Sequence, residues 1–305
     1  MSSFKLVSFE SGDGARAGMV VDDRVSDIAA MTGKSEHETV LGVLADWPAA
    51  EGRLRRAAES AAATGVPLAQ VKLLAPIPKP GAIYCAGANY ADHALEMAKL
   101  HNRPIEPDPH TLGLKPWHFL KVSHAVAAPD DVIDITSASK TMDWEVELVA
   151  VIGRPAKNVS IERALDYVAG YTIANDLSAR DMGRRPHISD GSPFKAGWLS
   201  HKSFDGSCPM GPWIVPASDV GDPHNLGMKL WVNDVIKQDS NSGQMIFNTN
   251  EQIAQLSSRI TLHPGDIIMT GTPAGVGAAR KEFLKAGDTV KLWIDKIGTL
   301  TNKMK

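Results

Sequence analysis

The sequence predicts an α+β chain, mainly β with α segments, in which a small N-terminal α/β domain (residues 1–75) precedes a larger domain (residues 76–305). Three observations carry this prediction. From Trp144 onward, short runs rich in Val, Ile, Leu and Trp are separated by Gly and Pro clusters, as expected of strands joined by loops. Only two later stretches, Ile161–Val168 and Asn250–Ile260, carry a helical pattern. Finally, Pro67, Pro76, Pro78 and Pro80 interrupt the chain between an early helical stretch and the strand Ala82–Gly87, which marks a linker and puts the start of the main domain near residue 75.

In chain order, residues 3–30 read as short alternating strands with a turn at Ser11-Gly12-Asp13-Gly14, followed by helix over Glu38–Ala62. Lys99–Trp117, with Pro104, Pro107, Pro109 and Pro116, reads as an irregular loop or short capping element. A lid and a plain surface excursion both fit it. Further strands fall at Trp144–Ile152, Gly170–Ala174, Trp213–Val215, Lys229–Val232, Asp266–Thr270 and Thr289–Ile294. No internal repeat or low-complexity tract is present, which disfavours solenoids and propellers.

Bulk composition excludes several classes of function. The 305 residues are 43% apolar and 22% charged, ordinary globular values. With 32 Lys and Arg against 35 Asp and Glu, and no basic tract, a nucleic-acid partner is not expected. No apolar run approaches the roughly 18 residues needed to span a bilayer, and no signal-peptide pattern opens the chain, so a cytoplasmic protein without a membrane partner is expected. Cys85 and Cys208 stand far apart without a CxxC, which indicates neither a disulfide framework nor a thiolate zinc site, and Cys85 reads as a packed small residue.

Chemistry-bearing residues cluster in four segments. In Asp143-Trp144-Glu145-Val146-Glu147 the strand period puts Glu145 and Glu147 on one side, a pair suited to a hard cation, although the solvent face of a half-exposed strand would read the same. Asp176, where an apolar strand ends, is a third carboxylate or a helix N-cap. His93 and Glu96 sit three apart on a helical turn, the spacing of a carboxylate-oriented base or of a solvated surface pair. In Thr270-Gly271-Thr272-Pro273-Ala274-Gly275-Val276-Gly277 the glycines allow close backbone approach to a ligand, or a tight turn. Nucleotide-binding P-loop and dinucleotide fingerprints and a GxSxG elbow are missing.

Taken in order, these segments resemble the fumarylacetoacetate hydrolase family over roughly residues 80–300. The run comprises Tyr84 to His93, Phe119-Leu120-Lys121, Asp143 to Glu147, Asn175 to Asp181, Lys202-Ser203-Phe204-Asp205 and Met210-Gly211-Pro212-Trp213. It continues through Val232-Asn233-Asp234, Met245-Ile246-Phe247, Pro264-Gly265-Asp266 and Thr270 to Gly277. The resemblance implies mixed β-rolls around a β-sandwich-like core, a small N-terminal domain and usually a homodimer. It also implies Glu145, Glu147 and Asp176 as ligands of Mg²⁺ or Mn²⁺, with Ca²⁺ an alternative, and His93 with Glu96 as a water-activating dyad. Lys202 would stabilise negative charge, and Tyr90, Arg180 and Thr272 would bind substrate, Thr272 at a carboxylate.

The substrate so implied is a small 2-oxo acid or diketo acid, such as an acylpyruvate or fumarylpyruvate-like compound, cleaved at a carbon–carbon bond by attack of water. Oxaloacetate decarboxylation and muconate-type isomerisation or hydration are the alternatives, since all pass through an enolate. Two departures stand out. Many relatives carry Gln two residues after the Arg-Asp pair, where this chain has Gly183 followed by Arg184-Arg185, and a Pro-rich insertion follows Met97.

Overall fold

The computed structural model describes residues 3–12 and 14–305, so Asp13 of the expected first turn lies outside the described residues. Its flanking strands, β1 (Lys5–Ser11) and β2 (Gly14–Val21), pair antiparallel in unbroken register from Lys5↔Val20 to Ser11↔Gly14, and β3 (Arg24–Asp27) continues the meander. The helix expected over Glu38–Ala62 forms as two, α1 (Val40–Ala45) and α2 (Trp47–Thr64), parted at Asp46. Pro48 explains the break. Without an N–H it cannot continue α1, but it fits the first turn of a new helix. Asp46 holds the corner, receiving Lys34 (3.0 Å) and Arg53.

In the main body come β4 (Ile83–Ala86), α3 (Ala91–Leu100), β5 (His118–Lys121), β6 (Val146–Ile152), β7 (Val168–Asn175), β8 (Cys208–Pro216), β9 (Gly227–Val232) and β10 (Val235–Asn241). Then follow α4 (Thr249–Arg259), β11 (Ile267–Met269), β12 (Thr289–Ile294) and β13 (Gly298–Met304). The expected helix at Ile161–Val168 is a 3₁₀ stretch, Ile161–Tyr167. That at Asn250–Ile260 is α4, started by a reciprocal Asn248–Glu251 capping box.

One sheet runs β3-β2-β1-β8-β7-β6-β11-β4-β5, and a second runs β10-β9-β12-β13 to a short strand at Val132–Ile133. The N-terminal meander thus joins the main body edge to edge, with Leu6 of β1 opposite Ile214 of β8. β10, β13 and β5 escape a hydrophobic-pattern reading because polar residues sit at their buried positions. Along β13, Asn302 interrupts the Leu300/Met304 alternation, and its amide satisfies Ala128 O (2.9 Å) and Asp131 O (3.1 Å).

β6 is buried over its whole length. Val146, Leu148, Ala150 and Ile152 face a core shared with the second sheet (Trp144, Leu230, Leu292, Leu300). Val149 and Val151 face a core shared with the N-terminal layer (Phe4, Leu6, Met19, Trp47, Leu54). Cys85 and Cys208 are buried free thiols in that second core, as the small-residue reading of Cys85 requires.

The loop entering α3 is fixed by Asn89, which is 3% exposed. Its Nδ2 donates to Phe247 O (2.9 Å) and Thr270 O (2.8 Å), and its Oδ1 accepts from Phe247 N (2.9 Å). Asn89→Ala strips these buried backbone groups of their side-chain partner, and the expected cost is roughly 2–4 kcal/mol of unfolding free energy. Urea denaturation measures it, and a loss below the error of the extrapolation would contradict the assignment.

Candidate active site

Register between β6 and β7 assembles the carboxylates. The ladder ends at Val146↔Asn175, so Glu145 and Asp176 face each other one residue beyond it, joined by a hydrogen bond from Asp176 N to Glu145 O (2.9 Å). Asn175 Oδ1 accepts from Glu145 N (3.0 Å) and fixes the point where the chain leaves the ladder. Glu145 therefore stands just outside the strand, and Glu147 just inside it. One oxygen of each of Glu145, Glu147 and Asp176 lies within 4.8 Å of the others. At 6%, 1% and 0% exposure they are no solvent face, and Asp176 is no helix cap, since the next short helix is preceded by Ala179.

Two buried lysines and the part-buried Arg180 meet this negative charge. Lys202 Nζ donates to Glu145 Oε2 (2.8 Å) and Asp176 Oδ2 (2.6 Å), and Lys121 Nζ donates to Asp176 Oδ1 (2.7 Å) and Leu177 O (3.3 Å). Arg180 donates from Nη2 to Glu145 Oε1 (2.6 Å) and from Nε to Asp143 Oδ2 (2.8 Å). Burial alone would raise the Glu145 carboxyl, but Lys202 and Arg180 outweigh it and hold it well below the usual carboxylate range. Among the described residues, Glu147 has only the backbone N–H of Gly271 (2.7 Å) as donor. Burial, then the charges of Asp176 and Glu145, push its carboxyl well above the usual range. Three buried oxygen donors at this spacing, one of them without a cationic partner, fit a hard divalent cation such as Mg²⁺, Mn²⁺ or Ca²⁺.

α3 presents His93 and Glu96 toward the cluster, with Nδ1 and Oε2 3.6 Å apart, an ionic contact longer than a formed hydrogen bond. His93 is among the groups whose influence lowers the Glu145 carboxyl. Glu96 accepts from Gly275 N with both oxygens (2.9 and 3.1 Å). Burial opposes ionisation of Glu96, yet His93 and this N–H keep its carboxyl low. The glycine loop thus approaches protein carboxylates: Gly271 serves Glu147 and Gly275 serves Glu96. Gly275 has φ +104, and a Cβ there would lie 2.1 Å from Lys237 O.

Two residues expected at substrate have protein partners instead in this structure. Tyr90 is 0% exposed, and its OH contacts Met228 Sδ (3.3 Å) within the core. Arg180 is likewise no free substrate clamp, being shared between Asp143 and Glu145. Thr272 is brought near the site, and its Oγ1 accepts from Gln238 Nε2 (2.8 Å), which leaves its own O–H free to donate. Lys121, Asp143 and Gln238 were not singled out from the sequence. A lysine closing the apolar run Phe119-Leu120 was the available signal for Lys121. Gln238, on the polar strand β10, also accepts from Val146 N (2.9 Å) and so ties the second sheet to the site.

The family profile for the C-terminal domain of fumarylacetoacetate hydrolase matches residues 82–305. The chain belongs to the fumarylacetoacetate hydrolase family. A mitochondrial oxaloacetate tautomerase of Xenopus laevis is 43% identical over 76% of this chain and 68% of its own length. A human mitochondrial oxaloacetate tautomerase is 39% identical over 78% of this chain and 71% of its own length. Among solved structures, maleylpyruvate hydrolase from Sphingobium in complex with manganese(II) and pyruvate matches with a TM-score of 0.74 and 31% identity, over 98% of each chain.

Set in this family, the two departures acquire structure. Gly183 faces His201, whose Nδ1 would lie 3.1 Å from an added Cβ, and no amide stands there. Burial, then Lys202 and Arg180, push the His201 imidazole down to about 3. The insertion leaves α3 at Leu100 and runs irregularly to a short 3₁₀ turn, Pro109–Leu112. Between it and the face of α3 carrying Ala91, Ala94, Leu95 and Ala98 lies a cavity of about 600 Å³, on the side of the helix away from His93 and Glu96. His110 fastens the insertion: Nδ1 meets Asp108 Oδ1 (2.7 Å) and Nε2 meets Glu251 Oε1 (2.8 Å) on α4.

The bonds to Asp108 and then Glu251 raise the His110 pKa above its ordinary value. A histidine raised on folding contributes fully below its unfolded pKa and loses that contribution as pH rises through the folded one. Proteolysis within residues 101–116 is therefore expected to be faster at pH 9 than at pH 6 after correction for protease activity, with the difference gone in His110→Ala. A pH-independent rate in the native chain would rule the fastening out.

Glu147→Gln keeps the shape and removes the negative charge with no cationic partner. Calorimetric titration with Mn²⁺ should show affinity reduced roughly tenfold or more, with a melting temperature at or above that of the native chain. Unchanged Mn²⁺ affinity would exclude Glu147 as a ligand.

Proposed function

We propose that this chain catalyses keto–enol tautomerisation of a small dicarboxylic 2-oxo acid of the oxaloacetate class. The observation carrying the reading is a His93–Glu96 pair directed at a buried three-carboxylate cluster, while position 183, where the family resemblance leads one to expect an amide suited to holding attacking water, is glycine. The 43% identity to an oxaloacetate tautomerase supports it.

Tautomerisation moves one proton between C3 and the 2-oxygen and consumes no water. It needs one group that can act as base and then as acid, a partner that orients it, and positive charge where the oxygen gains electron density. His93 fills the first role and takes or returns the proton at C3. Glu96, docked on Gly275 N, orients the imidazole and stabilises its charged form. Lys202 Nζ stands at the carboxylate cluster as a fixed positive charge for the 2-oxygen. Thr272 has a free O–H for the far carboxylate. Glu145, Glu147 and Asp176 would hold a divalent ion, which supplies Lewis-acid polarisation of the 2-oxo group when bound.

Carbon–carbon hydrolysis of an acylpyruvate is the second reading, favoured by the likeness to maleylpyruvate hydrolase over the full chain. There His93 would deprotonate water rather than C3. A homodimer is proposed with either reading, and light scattering after gel filtration tests it.

The decisive assay follows decay of the enol absorbance of freshly dissolved oxaloacetate with Mg²⁺ or Mn²⁺ present, beside acylpyruvate hydrolysis and pyruvate release under the same conditions. Enol decay should be accelerated and should fall by about 10²-fold or more in His93→Ala. Hydrolysis of acylpyruvate with enol decay at the uncatalysed rate would replace the first reading by the second, and pyruvate release from oxaloacetate alone would replace both by decarboxylation.

A further inference from the structure

We infer that Asp143 is a positioning residue that sets how strongly Arg180 competes with a cation for Glu145. The inference rests on the reading that the carboxylate cluster holds a divalent ion.

Asp143 is fully buried and saturated with donors. Oδ1 accepts from Trp144 N (2.8 Å) and Gly277 N (2.6 Å), and Oδ2 accepts from Ala278 N (2.9 Å) and Arg180 Nε (2.8 Å). Three backbone N–H groups from two segments fix this carboxylate in place. Arg180 Nη2 also lies 2.8 Å from Asp143 Oδ2, and it reaches Glu145 Oε1 at 2.6 Å. One guanidinium is therefore shared between an immobile carboxylate that is no part of the cluster and a carboxylate that is.

The consequence concerns competition. Lys202 holds the second oxygen of Glu145, so a cation that takes Glu145 Oε1 as ligand competes with Arg180 Nη2 for it. Asp143 gives the guanidinium a charge partner already within bonding distance, so loosening its hold on Glu145 leaves no part-buried cation unpaired. Without that charge Arg180 has Glu145 as its sole carboxylate and clamps it. The same Asp143 oxygens pin Gly277 and Ala278, immediately beyond the Gly275 N–H that receives Glu96, so the residue also steadies the docking point of the dyad.

The test is calorimetric titration of the full chain with Mn²⁺ alone. Asp143→Asn retains the size and one oxygen, which can still accept from Trp144 N and Gly277 N, while its amide nitrogen replaces the acceptor of Ala278 N and Arg180; Mn²⁺ affinity is expected to fall about tenfold or more, the scale of losing a residue that orients a metal ligand. Arg180→Met should bind Mn²⁺ at least as tightly as the native chain. The double variant Asp143→Asn/Arg180→Met should return to the affinity of Arg180→Met, because the competitor has gone. Native affinity in Asp143→Asn, weakened binding in Arg180→Met, or a double variant as weak as Asp143→Asn each overturns the inference. Arg180→Met decides it even where Asp143→Asn folds poorly. No Mn²⁺ binding by the native chain would instead remove the metal reading, and this inference with it.

Discussion

Burying three carboxylates side by side is the constraint on which the rest of this structure depends. At separations up to 4.8 Å, each like-charge pair costs roughly 3–4 kcal/mol at an effective dielectric near 20. Three such pairs are comparable to the whole folding free energy of an ordinary domain, about 5–15 kcal/mol. Lys121, Lys202 and Arg180 meet the charge at bonding distance, and Glu147 is left with a single backbone N–H. Cations and cluster carboxylates thus match in number, but none of the cations lies at bonding distance from Glu147 among the described residues. Protonation of Glu147 or arrival of a cation relieves the same repulsion, and the fold is built so that either can do so.

That requirement explains features of the fold remote from the chemistry. Lys121 closes β5, Lys202 closes a short helix at Trp198–Lys202, and Arg180 opens another at Arg180–Gly183, so the cations arrive from three separate segments. Each must be rigid, because a long side chain held at one geometry loses rotamer entropy. Phe119 and Trp198 stack at 5.2 Å, and Lys202 Nζ lies 5.3 Å from the Phe119 ring. The aromatic packing and the charged cluster thus both restrain the same lysine. On the sheet, β6 can carry two acidic residues at its end only because the remainder of the strand is buried on both faces, against the second sheet and against the N-terminal layer.

The acidic triad and the dyad were legible in the sequence because strand and helix periods are local: Glu145 and Glu147 two apart, His93 and Glu96 three apart. Residue order and the accumulated motif resemblance then brought Asp176 and Lys202 to the same place. Tertiary pairing was not legible. The shared role of Arg180 depends on Asp143 being held by Gly277 and Ala278, more than a hundred residues later in the chain, and no spacing announces that. Tyr90 adjoins the dyad in sequence, but the chain enters α3 with its ring turned into the core. β10 and β13 went unread because Gln238 and Asn302 occupy buried strand positions as hydrogen-bonding residues, which breaks the apolar alternation that marks a strand.

Gln238 shows why such a break belongs in a core. Its carbonyl receives Val146 N at the start of β6, and its amide donates to Thr272 Oγ1 (2.8 Å) and Pro273 O (2.9 Å). One side chain on the second sheet therefore holds the strand that bears Glu147 and the loop that bears Thr272 in a fixed relation. An apolar residue there would bury as well, yet it would leave Val146 N and Pro273 O without these partners in a dry interior, each at a cost of about 1–3 kcal/mol. The distance between the cluster and Thr272 is thus set by a hydrogen-bonded amide, and apolar packing alone would not specify it. Position 183 is the counterpart: it is glycine, a Cβ there would lie 3.1 Å from His201 Nδ1, and no side-chain amide ties that turn to the site.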